Sequence, residues 1–156
     1  MPSTESLPVS ELSDSVRVTD LDFQRHMGNT AFTDLLANAR YTFLTDHVRP
    51  AVGFDDVILA LVHLDVNFTG QVHHAATVKT TTQVLAVGST SLKLSQRMES
   101  DGRVVATSTS VLVLTDRASG KPTPWPDGIR RWADLIQPRA ETDSHHAERS
   151  PDDKGK

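Results

Sequence analysis

One amphipathic helix, followed by a long run of strand-forming sequence, limits the folds open to this chain. The helix is predicted to begin near Asn29 or Thr30, because either side chain can cap its first backbone N–H groups. It is predicted to end near Arg49-Pro50 and Gly53. Residues at helical spacing form its apolar stripe: Phe32, Leu35, Leu36, Ala39 and Phe43. Such a stripe needs an apolar surface to pack against, and strands can provide it.

Strand signals fill most of the remaining sequence. A short first strand is predicted over residues 15–19 and a polar loop over residues 20–28. Segments rich in Val, Leu, Ser and Thr predict four longer strands, over residues 57–68, 72–87, 90–99 and 104–115. A short amphipathic helix is predicted over residues 126–136. Because the strands are contiguous in sequence, we expect them to pair as an antiparallel meander. This is an α+β arrangement, with a sheet edge that a dimer would cover.

The two ends of the chain differ in composition from the middle. Residues 1–14 and 139–156 contain few apolar side chains, so we predict that both are disordered and that residues 15–138 form one domain. That middle part carries 12 basic and 12 acidic side chains. Without a basic face that could follow a phosphate backbone, a nucleic-acid partner is not expected.

Several classes of site and location are disfavoured by composition. The sequence has no Cys, which excludes disulfides, Cys-ligated zinc and a Cys nucleophile. His73 and His74 are neighbours on a predicted strand and would point to opposite faces, while His145-His146 lies in the predicted tail, so no metal site is expected. The acidic N-terminus is unlike a signal peptide, and no apolar run could span a bilayer. We therefore expect a cytoplasmic protein without a membrane partner.

Several short motifs follow one another in a fixed order along the chain. The first motif pairs an Asp-x-Asp with a His-containing turn, and the helix after it carries an Ala-Arg pair. The segments are Asp20-Leu21-Asp22, Arg25-His26-Met27-Gly28-Asn29, Ala39-Arg40, Val66-Asn67-Phe68, Thr69-Gly70-Gln71-Val72, Gly88-Ser89-Thr90-Ser91 and the segment 116–122. Together they resemble the motifs of the hotdog-fold acyl-CoA thioesterases of the 4-hydroxybenzoyl-CoA thioesterase type. Arg25 stands where the family usually has Gly, and Gly28 where it usually has the first Asn.

The resemblance implies a fold, an activity and a set of roles. The fold would be a hotdog: an antiparallel sheet wrapped around one long central helix, with a short C-terminal helix. The activity would be hydrolysis of an acyl-CoA thioester, with Asp22 as base or nucleophile and the backbone N–H of Asn29 as oxyanion donor. No cofactor is implied, since coenzyme A is part of the substrate. Relatives build the site between subunits, which implies a homodimer or homotetramer.

Each candidate residue also has a simpler interpretation. Asp22 could be a loop acid that only supports a turn before the helix. His26 could orient Asp22 or contact substrate, or it could be a helix-entry histidine that bonds to backbone. Gly28, Thr90 and Ser91 are predicted to contact substrate or coenzyme A, the last two against the alternative of ordinary polar strand residues. Asp34, one turn into the helix, is a second candidate acid or a solvated carboxylate.

Competing functions also remain at this stage. One is a related enzyme, either a thioesterase for acyl carrier protein or a hotdog dehydratase, although the dehydratase His/Asp arrangement is not recognisable here. Another is a non-catalytic hotdog module that binds acyl-CoA. A carboxylate aimed at a thioester is of no use to a binding module, so Asp22 favours the hydrolase.

Overall fold

A computed structural model of the chain describes residues 5–136. It contains one antiparallel sheet of five strands in the order β1-β3-β4-β5-β2. The strands are β1 (Val9–Ser15), β2 (Val57–Phe68), β3 (Thr77–Val87), β4 (Ser91–Ser100) and β5 (Arg103–Asp116). The helices are α1 (Asn29–Phe43), α2 (Arg49–Val52), α3 (Asp127–Arg130) and α4 (Trp132–Leu135). The predicted α+β arrangement, one antiparallel sheet around one long helix, is confirmed.

The long helix begins as predicted but is capped differently. Asn29 is its first residue and Gly28 its N-cap, with extended backbone at φ −75° and ψ 160° and no side-chain cap. The prediction that Asn29 or Thr30 caps the helix is therefore wrong. The Gly28 N–H donates to the Asp20 carbonyl at 2.9 Å, so backbone bonding sets the entry angle without a capping side chain.

The helical path continues beyond α1 and ends within the predicted region. A π-helical turn (Leu44–Val48) joins α1 to α2, and the helical path ends only at Gly53, where φ is 61°. Pro50 does not stop it, because Pro50 lies in the first turn of α2, where a missing N–H breaks no bond. The predicted apolar stripe of α1 is confirmed, since all five of its residues are buried.

The N-terminal prediction is wrong in two respects. Residues 9–14, predicted to be disordered, form edge strand β1 together with Ser15, and β1 pairs with β3 from Val9↔Gln83 to Ser15↔Thr77. Residues 15–19, predicted as a strand, instead lead into a 3-10 turn (Val18–Asp20). Strand β1 was not predicted because its sequence is polar and charged. An edge strand buries only alternate side chains and so tolerates such residues. The predicted tail, residues 139–156 with His145-His146, lies outside the described residues.

The strand pairing departs from a simple meander. Only β3, β4 and β5 pair in sequence order, and β2 pairs with β5 from Val57↔Asp116 to Phe68↔Ala106. The third strand begins at Thr77 rather than Val72, because Ala75 adopts a left-handed φ of 63° that interrupts extended backbone. The crossing segment, residues 69–76, passes the start of α1, where the Met27 N–H donates to the Val72 carbonyl at 2.7 Å.

The buried face of the sheet holds two apolar clusters. One surrounds the first half of α1 and includes Phe32, Leu36, Val78 and Met98. The other surrounds its end together with α3 and α4, and includes Phe43, Leu94, Trp125 and Ile129. The predicted C-terminal helix is thus two short turns that cover one end of the core. None of the helices in residues 5–136 is long and apolar enough to span a membrane.

Candidate active site

A tight loop before α1 holds Asp22 in place. The Asp22 N–H donates to the His26 carbonyl at 2.8 Å, and the Arg25 N–H donates to the Asp22 carbonyl at 3.0 Å. Leu21 and Met27 close the loop through an isolated antiparallel bridge. The turn passes through Arg25, whose φ of 63° is unusual for a residue with a side chain.

The carboxylate of Asp22 is oriented by this loop. One oxygen, Oδ1, accepts a hydrogen bond of 2.8 Å from the Gln24 N–H and a longer one of 3.4 Å from the His26 N–H. These bonds form the turn that the simpler interpretation of Asp22 expects. They leave its second oxygen without a partner in the described part of the chain, and the side chain is exposed. A fixed, solvent-accessible carboxylate can accept a proton or attack an electrophile.

The neighbouring acid, Asp20, has a different environment. It is buried, and its carboxylate accepts hydrogen bonds from the backbone N–H of Arg17 at 2.8 Å and from the Arg17 guanidinium at 2.9 Å. The bond from the Arg17 side chain is the main cause that lowers the pKa of Asp20 below its ordinary 3.8. Asp20 thus supports the loop, and the sequence analysis missed Arg17 as its partner.

The start of α1 lies directly beside Asp22. A Cβ built on Gly28 would be 3.5 Å from the Asp22 Cβ. Asn29 follows Gly28 as the first helical residue, so its N–H has no acceptor within the helix. No acceptor for that N–H is found elsewhere in residues 5–136. The helix end therefore presents a free donor and a partial positive charge next to a carboxylate.

Asp22, His26 and Asn29 line one pocket of about 360 Å³. Its other walls come from the loop, the helix and the segment after β2: Gln24, Met27, Phe32, Phe68, Thr69, Gly70 and Gln71. The rings of Phe32 and Phe68 meet edge to face with centroids 5.4 Å apart. The sequence analysis did not predict that Phe68 lines the pocket, although an aromatic residue just before a turn was a signal that could have indicated it.

The side chain of His26 packs against a second histidine. Its ring centroid lies 4.8 Å from that of His73, and its buried Nδ1 atom has no hydrogen-bond partner in the described residues. The backbone of His26, rather than its ring, bonds to Asp22. His73 and His74 therefore lie in the crossing segment beside this loop and not on a strand. No group of three potential metal ligands occurs within residues 5–136.

Thr90 and Ser91 lie away from this pocket within one chain. The Thr90 carbonyl accepts from the Leu114 N–H, and the Ser91 carbonyl accepts from the Trp125 indole N–H at 3.0 Å. Ser91 begins β4, whereas Phe68 is in the row of Met98 near the other end of that strand. Seven residues of strand span about 23 Å. The contact of Thr90 and Ser91 with substrate stays a prediction, because these residues do not reach the pocket of their own chain.

A carboxylate, a free helical N–H and an apolar wall are the parts that acyl transfer to water requires. The carboxylate can activate or supply the attacking oxygen, and the N–H can stabilise the oxyanion that forms at the carbonyl. Phe32 and Phe68 offer an apolar surface to an acyl group.

Comparison with solved structures supports the fold. The chain is similar to a predicted thioesterase from Bacillus stearothermophilus, with 23% identity, a TM-score of 0.71, and coverage of 81% of this chain and 95% of that one. It is similar to a 1,4-dihydroxy-2-naphthoyl-CoA thioesterase from Synechocystis, with 15% identity, a TM-score of 0.70, and coverage of 84% and 100%. A Staphylococcus aureus protein solved in complex with CoA matches with 12% identity, a TM-score of 0.73, and coverage of 96% and 99%.

The hotdog fold that the sequence motifs implied is therefore confirmed. Among curated proteins the sequence has no significant match. A family model, the thioesterase-like superfamily, matches residues 16–133, which include the whole pocket and most of the sheet. The chain belongs to the thioesterase-like superfamily.

Proposed function

We propose that this protein hydrolyses acyl-CoA thioesters, with Asp22 and the Asn29 N–H as its catalytic groups. The observation that carries the proposal is the position of the Asp22 carboxylate beside the free N–H groups of the α1 N-terminus. Membership of the thioesterase-like superfamily supports thioester hydrolysis. A structural neighbour solved in complex with CoA supports coenzyme A as the carrier of the acyl group.

Hydrolysis needs a nucleophilic attack on the thioester carbonyl carbon and the departure of the coenzyme A thiolate. A water oxygen attacks the thioester carbonyl carbon while Asp22 takes its proton, and the carbonyl electron pair moves to an oxyanion that accepts from the Asn29 N–H. The intermediate collapses, the C–S bond breaks, and the thiolate of coenzyme A leaves and takes up a proton. The products are a free acid and coenzyme A.

In the alternative form of this step, Asp22 is itself the nucleophile. Its free oxygen bonds to the carbonyl carbon, the thiolate leaves, and the resulting mixed anhydride is hydrolysed by water. Mass spectrometry of the acid-quenched enzyme in its first turnovers separates the two. An acyl-sized mass increase on the peptide that contains Asp22 indicates the nucleophile, and its absence at saturating substrate favours the base.

The two edges of the sheet favour a dimer through β2. Strand β1 carries charged side chains, whereas β2 exposes a row of large apolar side chains, a combination that would be a liability on a free edge. These residues are Ile58, Leu61, Val62, Leu64 and Phe68, each between 42% and 59% exposed. A second copy of the chain that pairs antiparallel along β2 would cover them.

Such a dimer would also bring Thr90 and Ser91 towards the site. Ser91 shares a row with Val113 and Ala60, near the end of β2 opposite to Phe68. Antiparallel pairing of two β2 strands reverses this order, so Ser91 of the partner subunit would lie at the level of this chain's pocket. Three strand spacings, about 14 Å, would separate it from β2.

The experiment is hydrolysis of a substrate panel by the purified protein. Acyl-CoAs with short, medium, long and aromatic acyl groups would be offered, and the free thiol measured. We expect turnover well above the uncatalysed rate on at least one of them. Binding of acyl-CoA without turnover on any would overturn the proposal and favour a binding module.

A further inference from the structure

Two of the segments that line the pocket, the loop before α1 and the crossing segment, also carry four exposed side chains that the reaction does not use. They are Phe23 and Arg25 on the loop before α1, and His73 and His74 on the crossing segment; we name this set the basic rim. His26 and His73 form an antiparallel bridge, and Met27 bonds to Val72. Arg25 precedes His26 in the loop, and His74 follows His73 in the crossing segment.

Arg25 is an unexpected residue for its backbone conformation. Its φ of 63° lies in the left-handed region, where Gly or Asn avoids the clash that a longer side chain creates. Strain of this kind in a loop that lines a candidate site points to a functional use of the side chain. Within residues 5–136 the Arg25 guanidinium forms no ion pair, so its charge is available to a ligand.

Phe23 is equally unexpected on an exposed loop. It is 94% exposed, the most of any large apolar side chain in the described residues, and it lies two positions from Arg25. An exposed aromatic ring and an exposed guanidinium on one loop suit a ligand that combines a flat base with phosphates, because rings stack on bases and guanidinium groups pair with phosphate.

We infer that the basic rim binds the phosphorylated adenine nucleotide of coenzyme A, with Arg25 on a phosphate and Phe23 against the adenine. This inference rests on the proposed function, because it names the part of the substrate that the basic rim recognises. The rim then selects thioesters of coenzyme A over the same acyl group on a carrier that lacks the nucleotide.

Three substrates with one acyl group test the two contacts separately. They are the acyl-CoA, the acyl-phosphopantetheine, which keeps one phosphate but lacks adenine, and the acyl-pantetheine, which lacks both. Arg25→Asn removes the charge and tolerates the positive φ. It should raise KM about tenfold for acyl-CoA, less for acyl-phosphopantetheine and not at all for acyl-pantetheine, with kcat within about twofold. Phe23→Ala should raise KM about fivefold for acyl-CoA alone.

Two further variants serve as controls. Arg25→Lys keeps the charge and should retain most of the affinity for acyl-CoA. Arg97→Gln removes an Arg charge from a different exposed site, where Arg97 pairs with Glu99 at 3.1 Å, and should leave all three KM values unchanged. Raised salt should weaken acyl-CoA binding in the wild type more than in Arg25→Asn, because exposed charges are screened.

The outcomes separate this inference from the proposed function. Equal changes in KM for all three substrates, or none, would overturn the basic rim while leaving the hydrolase intact. If the wild type hydrolyses none of the substrates, the proposed function fails. The basic rim is then tested by measuring the affinity for coenzyme A itself by titration calorimetry. A tenfold loss of affinity in Arg25→Asn then supports the rim, and equal binding or no binding overturns it.

Discussion

Two aspartates only two positions apart have opposite roles in the loop before α1. Asp20 is buried, paired with Arg17 and bonded through its carbonyl to Gly28. Asp22 is exposed and lines the pocket. The Asp-x-Asp spacing therefore combines one acid that builds the loop with one that is available for chemistry.

The Asp20 pair predicts a specific acid sensitivity. Arg17 lowers the pKa of Asp20, so its stabilising effect is fully present above the ordinary carboxyl range near pH 4 and is lost as pH falls through the lowered value. Asp20→Ala should reduce the free energy of unfolding at pH 7 by about 1–3 kcal/mol. Denaturant titration from pH 7 to pH 2 should show the variant and the wild type converging in acid. A difference that persists unchanged at pH 2 would contradict the ion pair.

The proposed oxyanion donor is a backbone group, which predicts an unusual mutational pattern at Asn29. Asn29→Ala keeps the N–H and should retain the rate of hydrolysis within about threefold. Asn29→Pro removes the N–H at the first helical position, where Pro is well tolerated and Gly28 already has the extended backbone that a following Pro requires. Its kcat should fall about 10²–10³-fold with the fold intact by circular dichroism. Equal rates for both variants would remove Asn29 from the mechanism.

At the scale of elements, a polar band divides the buried face between α1 and the sheet. The buried guanidinium of Arg40 donates to Gln96 at 3.3 Å, and Gln96 donates to the Leu36 carbonyl at 2.9 Å and to Thr82 at 3.1 Å. Burial lowers the pKa of Arg40. The hydroxyls of Thr80, Ser108 and Ser110, on the same face, have no hydrogen-bond partner in the described residues. This band separates the two apolar clusters and fixes the position of α1 along the strands.

The band predicts a non-additive double mutant. Gln96→Leu leaves the buried charge of Arg40 without its acceptor and should reduce the free energy of unfolding by about 3–5 kcal/mol. Arg40→Met with Gln96→Leu replaces both groups by apolar ones and should be less destabilised than Gln96→Leu alone. Urea denaturation of the two single variants and the double variant measures the coupling. Additive losses would show that Arg40 does not depend on Gln96.

Local periodicity explains which elements the sequence could predict. The stripe of α1 and the alternation in β2 are local patterns, and both elements were predicted with correct starts. The pairing of β2 with β5, and the strand at β1, depend on partners 38 to 74 residues away, which local patterns do not encode. In the site, Asp22, His26 and Asn29 are close in sequence and were predicted together. Phe68 and His73 reach them only through the crossing segment.

At the scale of the whole molecule, the unequal edges of the sheet predict the assembly. Val62→Asp with Leu64→Asp places two charges on the exposed apolar edge strand β2 and should convert a dimer to a monomer in analytical ultracentrifugation, with hydrolysis lost. Val9→Asp, at a residue 48% exposed on edge strand β1, is the matched control and should remain dimeric and active. A wild-type monomer, or a dimer that survives both charges on β2, would contradict assembly through this edge.

The measurement that tests the account most directly is the hydrolysis rate of Asp22→Asn. Asn can keep the turn bond from the Gln24 N–H but cannot accept the proton or attack the thioester. Asp34→Asn, an exposed acid on α1 that does not line the pocket, is the control. With folded protein in both cases, we predict a loss of kcat of more than about a hundredfold for Asp22→Asn and little change for Asp34→Asn. An active Asp22→Asn enzyme would show that Asp22 only supports the loop.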